Sequence, residues 1–324
     1  MYSYKKCVEL VEKELKQVKY NKTPVELYDP VNYVLSGEGK RIRPALLLMS
    51  CNLFSDDVKN ALKPAVAIEV FHNFTLLHDD IMDNAVLRRN KPTVHIKWDT
   101  NIAILSGDAM LIKAYEMLNT GDQKKLTMLL KEFNKAALEV CEGQQFDMNY
   151  EKILDVSIND YINMIRLKTS VLLACSFKMG AIIGGAGKAD QQLLYDIGIN
   201  MGIGFQLQDD MLDSFGNSTT FGKKIGGDIV SNKKTFLLIT ALNQAKGETY
   251  NKLKKLITCY EVSREEKIEQ VLEIYNQLDI KKKTESEINN YFDIADKCLN
   301  KISVDDDRKK IIRSFMYELM KRSR

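Results

Sequence analysis

The chain has 324 residues, 45% hydrophobic and 28% charged, the balance of a soluble globular protein with room for one large domain. Its 47 basic and 44 acidic side chains leave a net charge of only +3, which excludes the strong basic field of a nucleic-acid binder. The six cysteines, at 7, 51, 141, 175, 259 and 298, form no CxxC pair and read as reduced thiols of a cytoplasmic protein.

The N-terminal stretch YKKCVELVEKELKQV repeats Val8, Leu10, Val11 and Leu15 at helical spacing and lacks the apolar core of a signal peptide. No run of about 18 apolar residues stands out, so no membrane insertion is expected. After the break SGEGKR (36–41), a helix opens at Pro44, a good first-turn residue, and runs to about residue 53. Residues 60–83 form a long apolar helix that ends in an acidic cluster. Residues 101–118, 123–142, 159–184 and 189–213 read as helices too. Between them lie RRNKPT (88–93), NTGDQ (119–123) and GGAGK (184–188), and FGNSTTFGKKIGGD (215–228) follows the last. From about residue 245 the pattern is more charged, as for amphipathic outer helices. Alternating strand patterns and linkers are nearly absent, so the expectation is one all-α domain over residues 1–324.

One motif occurs twice. Asp79-Asp80-Ile-Met-Asp83 closes the helix of residues 60–83, and Asp209-Asp210-Met-Leu-Asp213 lies in GFQLQDDMLD. The outer aspartates of each are four residues apart and share a helix face, with carboxylates about 6 Å apart. Such a pair repels itself unless a hard divalent cation intervenes. Mg²⁺ suits it, because it bridges one or two carboxylates to substrate phosphates. Basic side chains able to meet phosphate cluster in three places: Lys40, Arg41 and Arg43 in GEGKRIRP, Arg88 and Arg89 in RRNKPTVH, and Lys223, Lys224, Lys233 and Lys234 in FGKKIGGDIVSNKKT. Together they describe a cavity for two polyanions. No Ser-His-Asp or Cys-His nucleophile is apparent.

These stretches, with LSGDAML (105–111), EGQQFDM (142–148) and KTS (168–170), appear in the order seen in the trans-isoprenyl diphosphate synthases of the polyprenyl synthetase family, which the chain resembles across residues 37–235. The resemblance implies an all-α bundle around a deep central cavity, usually homodimeric. It implies about three Mg²⁺ ions, with Mn²⁺ as a substitute, two held by Asp79 and Asp83 and the third by Asp209, with Asp80, Asp210 and Asp213 beside them. Arg88, Lys168, Lys223 and Lys233 match the basic residues of the allylic diphosphate site. Lys40, Arg43, His72 and Arg89 match the metal-free site for isopentenyl diphosphate. The implied reaction is ionisation, condensation and elimination through an allylic carbocation. Thr169, Gln206 and the carbonyl of Lys168 match the oxygen dipoles beside that cation. His78 matches no such role. Asn90 replaces the usual glycine after the arginine pair, and asparagine tolerates the same left-handed backbone.

Product length is read from the helix before the first motif. Phe74 lies about 7.5 Å below Asp79 along that helix, with Phe71 a turn lower. An aromatic at this place resembles the floor of short-chain enzymes. Thr75 and a motif without insertion resemble geranylgeranyl (C20) more than farnesyl (C15) synthases. A longer-chain synthase and a class I terpene cyclase are the alternatives. The repeated DDxxD and the isopentenyl set speak against the cyclase.

Overall fold

The computed structural model describes residues 1–119, 121–153, 155–216, 226–258 and 262–321. Helices dominate, as the periodicity predicts. In chain order they are α1 (Tyr4–Leu15), α2 (Val25–Leu35), α3 (Ile42–Phe54), α4 (Lys59–Met82), α5 (Val94–Lys97), α6 (Thr100–Met117), α7 (Gln123–Glu151), α8 (Ile158–Ile165), α9 (Val171–Gly184) and α10 (Lys188–Phe215). The short turn Gly227–Val230 and helices Phe236–Gln244, Gly247–Thr258, Arg264–Gln277, Ile280–Asn300 and Asp306–Met320 follow. Among the described residues the only strands are β1 (Leu87–Arg88) and β2 (Lys91–Pro92), which form one small antiparallel hairpin.

The described residues group into two compact units, each assembled from stretches distant in sequence. One comprises Met1–Asn134, Cys175–Leu194 and Ser303–Ile311; the other Lys135–Ala174, Tyr195–Ile302 and Ile312–Arg324. In the first unit α3 is buried on every side from Pro44 to Leu53, which is why its sequence is apolar all round rather than striped. Helix α4 packs against α3 and α6. In the second unit Leu237, Leu253, Val271 and Ile280 build a core among the helices after residue 235.

Three local features depart from the sequence pattern. Helix α2 was hidden by Pro24 and Pro30, yet Pro24 is its N-cap and Pro30 is buried inside it. Helix α7 runs through Gly143 to Glu151 instead of stopping near residue 142. The stretch Ile158–Gly184 is long and apolar enough to cross a membrane, contrary to the expectation above. However, 78% of its apolar window is buried in the fold, so its hydrophobicity is that of a core helix. Cys7, Cys51, Cys141, Cys175 and Cys298 are free thiols, and Cys259 lies outside the described residues. Burial raises the Cys7 thiol to about 12 and Cys51 to about 11, so both stay protonated and inert.

Candidate active site

The first acidic motif sits at the C-terminal end of α4. Asp83 is the C-cap and donates its N–H to the Asp79 carbonyl at 2.8 Å. Asn84 follows with φ +50°. Its N–H reaches the Ile81 carbonyl at 3.3 Å and that of Ala85 reaches the Asp80 carbonyl at 2.9 Å, the Schellman ending of a helix. This end of a helix carries partial negative charge, so two further carboxylates there are doubly disfavoured without a cation. Asp79 is half-buried and Asp83 exposed, whereas Asp80 is only 5% exposed. Asp80 accepts from Arg88 Nε at 2.6 Å. Burial pushes its carboxyl up, against the pull of Arg88 and the nearby His95. His95 Nδ1 is buried and has no partner among the described residues.

The hairpin after α4 turns through Arg89 (φ +51°) and Asn90 (φ +61°), two left-handed residues in a row. That is the signature of a type I′ turn. Asparagine at 90 therefore serves where glycine is expected. The same backbone at Arg89 is costly for an arginine and aims its side chain back at the loop before α3. Arg89 Nη1 donates to the Glu38 carbonyl at 2.5 Å.

On α4, about two turns before the motif, the half-buried His72 accepts from Arg43 Nη1 through Nε2 at 3.1 Å. Arginine can only donate, so the ring proton sits on Nδ1. Burial, then the charges of Arg43, Arg89, Arg88 and Arg41, hold the imidazole well below its usual value and keep it neutral. Arg41 itself is buried. It donates to Glu12 at 2.7 Å, to Glu69 at 2.7 Å and to the Gly37 carbonyl at 2.6 Å. Counted among the phosphate donors from sequence, it is instead the strut that fixes the loop carrying Lys40. Below the motif, the rings of Phe74 and Phe71 pack at a tilt with centroids 5.5 Å apart, and Phe71 meets Phe133 of α7 edge-on at 5.0 Å.

The second unit carries the second acidic motif. Helix α8 passes into α9 through a single π-helical turn, Arg166–Ser170, which contains Lys168 and Thr169. Such a turn widens the helix and frees backbone groups, and it favours functional sites. Two glycines make room for it. A Cβ at Gly143 of α7 would stand 2.2 Å from the Lys168 nitrogen, and one at Gly202 of α10 would stand 2.6 Å from Ser170 Cα. Lys168 Nζ pairs with Asp147 at 2.5 Å. Thr169 donates to Gln206 at 3.1 Å, and Gln206 donates to Asp210 at 2.9 Å. The Tyr161 hydroxyl also donates to Asp210.

Asp210 is 3% exposed, and burial raises its carboxyl to about 7, opposed by Lys233. Asp209 and Asp213 are half-buried on the next face of α10. Asp213 also caps the turn that follows, accepting from the Asp228 N–H at 2.8 Å. The two motifs are thus built alike. In each, the middle carboxylate is buried and turns inward to a protein partner, and the outer pair is less buried. Among the described residues no three His, Cys, Asp or Glu side chains gather tightly enough to hold a metal by themselves. The outer pairs fit Mg²⁺, which takes few protein ligands and completes its shell with phosphate and water.

The polyprenyl synthetase model matches residues 24–278. The chain belongs to the polyprenyl synthetase family. It is similar to the short chain isoprenyl diphosphate synthase of Methanocaldococcus jannaschii, at 38% identity over 271 residues, 83% of this chain and 82% of that protein. It is also similar to the geranylgeranyl diphosphate synthase of Methanosarcina mazei, at 40% identity over 223 residues, 68% of this chain and 69% of that one. A crystal structure of geranylgeranyl pyrophosphate synthase matches the full length of both chains with a TM-score of 0.95 and 46% identity.

Within this polyprenyl synthetase, Arg43, His72, Arg88 and Arg89 come together in one unit, with Lys40 exposed on the loop beside them. Lys168, Thr169, Gln206 and Asp210 come together in the other. Lys223 lies outside the described residues. Asp147 and Tyr161 had no assigned role in the sequence, although Asp147 stands inside the quoted EGQQFDM. A carboxylate one helix away from a lysine leaves no spacing signal. His78 proves structural: its ring faces Phe74 at 4.7 Å and bonds the Ile104 carbonyl at 3.2 Å. It also fills the space over Gly107, where a Cβ would meet it at 2.2 Å.

Proposed function

We propose that the chain is a short-chain trans-prenyltransferase that joins isopentenyl diphosphate to an allylic diphosphate, with geranylgeranyl (C20) diphosphate as its main product. The observation that carries this proposal is the shared construction of the two aspartate motifs, with the middle carboxylate buried and anchored and a less buried outer pair four residues apart on one helix face. Asp79, Asp83, Asp209 and Asp213 are assigned to Mg²⁺. When bound, the metal neutralises charge that builds on the departing diphosphate. Arg88, Lys168, Lys223 and Lys233 are assigned to that same diphosphate. Asp80 and Asp147 orient two of these cations, Arg88 and Lys168.

Lys40, Arg43, His72 and Arg89 are assigned to isopentenyl diphosphate. A neutral His72 leaves the positive charge to the arginines and offers Nδ1–H as a directional donor. Thr169 and Gln206 present oxygen dipoles to the allylic cation, and the Asp210–Tyr161 pair holds Gln206 in place. The apolar wall of Phe74, Phe71 and Phe133 excludes water and limits chain growth. The test is incubation of purified protein with Mg²⁺, labelled isopentenyl diphosphate and dimethylallyl, geranyl or farnesyl diphosphate, followed by chromatography. C20 is the expected product from each primer.

A further inference from the structure

Lys267 is out of place by ordinary rules. It stands in the first turn of helix Arg264–Gln277, the positive end of the helix dipole, and is 8% exposed. Burial lowers the affinity of its ammonium for the proton. Among the described residues its hydrogen bonds go to two uncharged oxygens, Asn232 Oδ1 at 2.7 Å and the Val230 carbonyl at 3.3 Å, and no carboxylate there offsets the cost of burial.

Those oxygens belong to the turn that delivers Lys233. The Gly227–Val230 helical turn ends with Asn232 at φ +56°. The Asn232 N–H reaches the Ile229 carbonyl at 3.2 Å and the Lys233 N–H reaches the Asp228 carbonyl at 3.0 Å, a second Schellman ending. A second buried lysine, Lys234, donates to the Asn232 carbonyl at 3.0 Å. The side chain, carbonyl and N–H of Asn232 are therefore all held. At its other end the turn is tied to the second aspartate motif. Asp213 accepts from the Asp228 N–H through its side chain and from the Gly226 N–H at 2.7 Å through its carbonyl. Lys233 is near enough for its charge to act on Asp210.

We propose that Lys267 is a positioning residue that clamps the Asn232 turn and so sets where the Lys233 ammonium stands relative to the second aspartate motif. The proposal rests on the assignment of Lys233 to the allylic diphosphate. Lys267→Met keeps the buried stem and removes the donor. Asn232→Gly keeps the left-handed turn and removes the acceptor, and it serves as the independent variant if Lys267→Met does not fold.

Each variant is expected to raise KM for the allylic diphosphate about tenfold while KM for isopentenyl diphosphate stays within about twofold. In a Lys233→Met background, Lys267→Met is expected to add nothing further, because it acts through Lys233. Equal rises in both KM values, unchanged KM values, or an additive loss in the double variant would overturn the proposal. An unchanged allylic KM in Lys233→Met alone would instead reject the assignment of Lys233, and the proposal with it.

Discussion

Phe74 is 8% exposed and Phe71 below it 1%, and Phe71 is in turn backed by Phe133. Shrinking the upper ring should therefore open one step of depth and expose a second floor. Phe74→Ala is expected to shift products from C20 to C25 or C30, and Phe74→Ala with Phe71→Ala to go further, as read by chain-length chromatography. An unchanged product would show that the floor lies elsewhere. His72 supports a prediction about stability. Its native proton affinity is depressed, mostly by burial and then by four arginines, relative to about 6.5 in the unfolded chain. The unfolded state thus binds this proton more readily. The contribution is whole above pH 6.5 and is lost progressively as the pH falls toward the depressed native value. Urea unfolding at pH 7.5 and 5.5 should show a smaller loss for His72→Gln than for the wild type. Equal losses would contradict a neutral, buried imidazole.

At the scale of elements, the long helices up to residue 215 were legible, α2 with its Pro30 excepted, because their apolar positions recur at helical spacing. What the spacing could not show is how those helices are interrupted or continued. RLKTS carries no glycine or proline that marks a π turn. Its cause lies in Gly143 and Gly202, far away in sequence. The same contact explains why α7 continues past residue 142, since Gly143 is a packing residue there and not a stop. Gly143→Ala should push the Lys168 backbone out of register. A stability loss of about 1–3 kcal/mol is expected from overpacking, with a larger fall in turnover and an unchanged far-UV circular dichroism spectrum. Wild-type turnover in that variant would mean that the π turn does not set the chemistry.

Across the whole molecule, the two units divide the proposed chemistry. One holds the first aspartate motif, the arginines around His72 and the aromatic floor; the other holds the second motif, the π turn and the clamped turn of Lys233. The outer aspartates stood out as candidates in the sequence because charge inside apolar helices is conspicuous, and the basic residues because they cluster in the breaks between helices. The partners Asp147, Tyr161 and Lys267 could not, because each acts across helices on a residue distant in the chain. Arg41 looked like a phosphate donor until its carboxylate partners, Glu12 and Glu69, were visible. The account is tested most directly by the products that the purified protein makes from labelled isopentenyl diphosphate and an allylic primer, with and without Mg²⁺. It predicts incorporation that depends on Mg²⁺ and ends mainly at C20. No Mg²⁺-dependent incorporation with any primer, or a main product of C30 or longer, would contradict it.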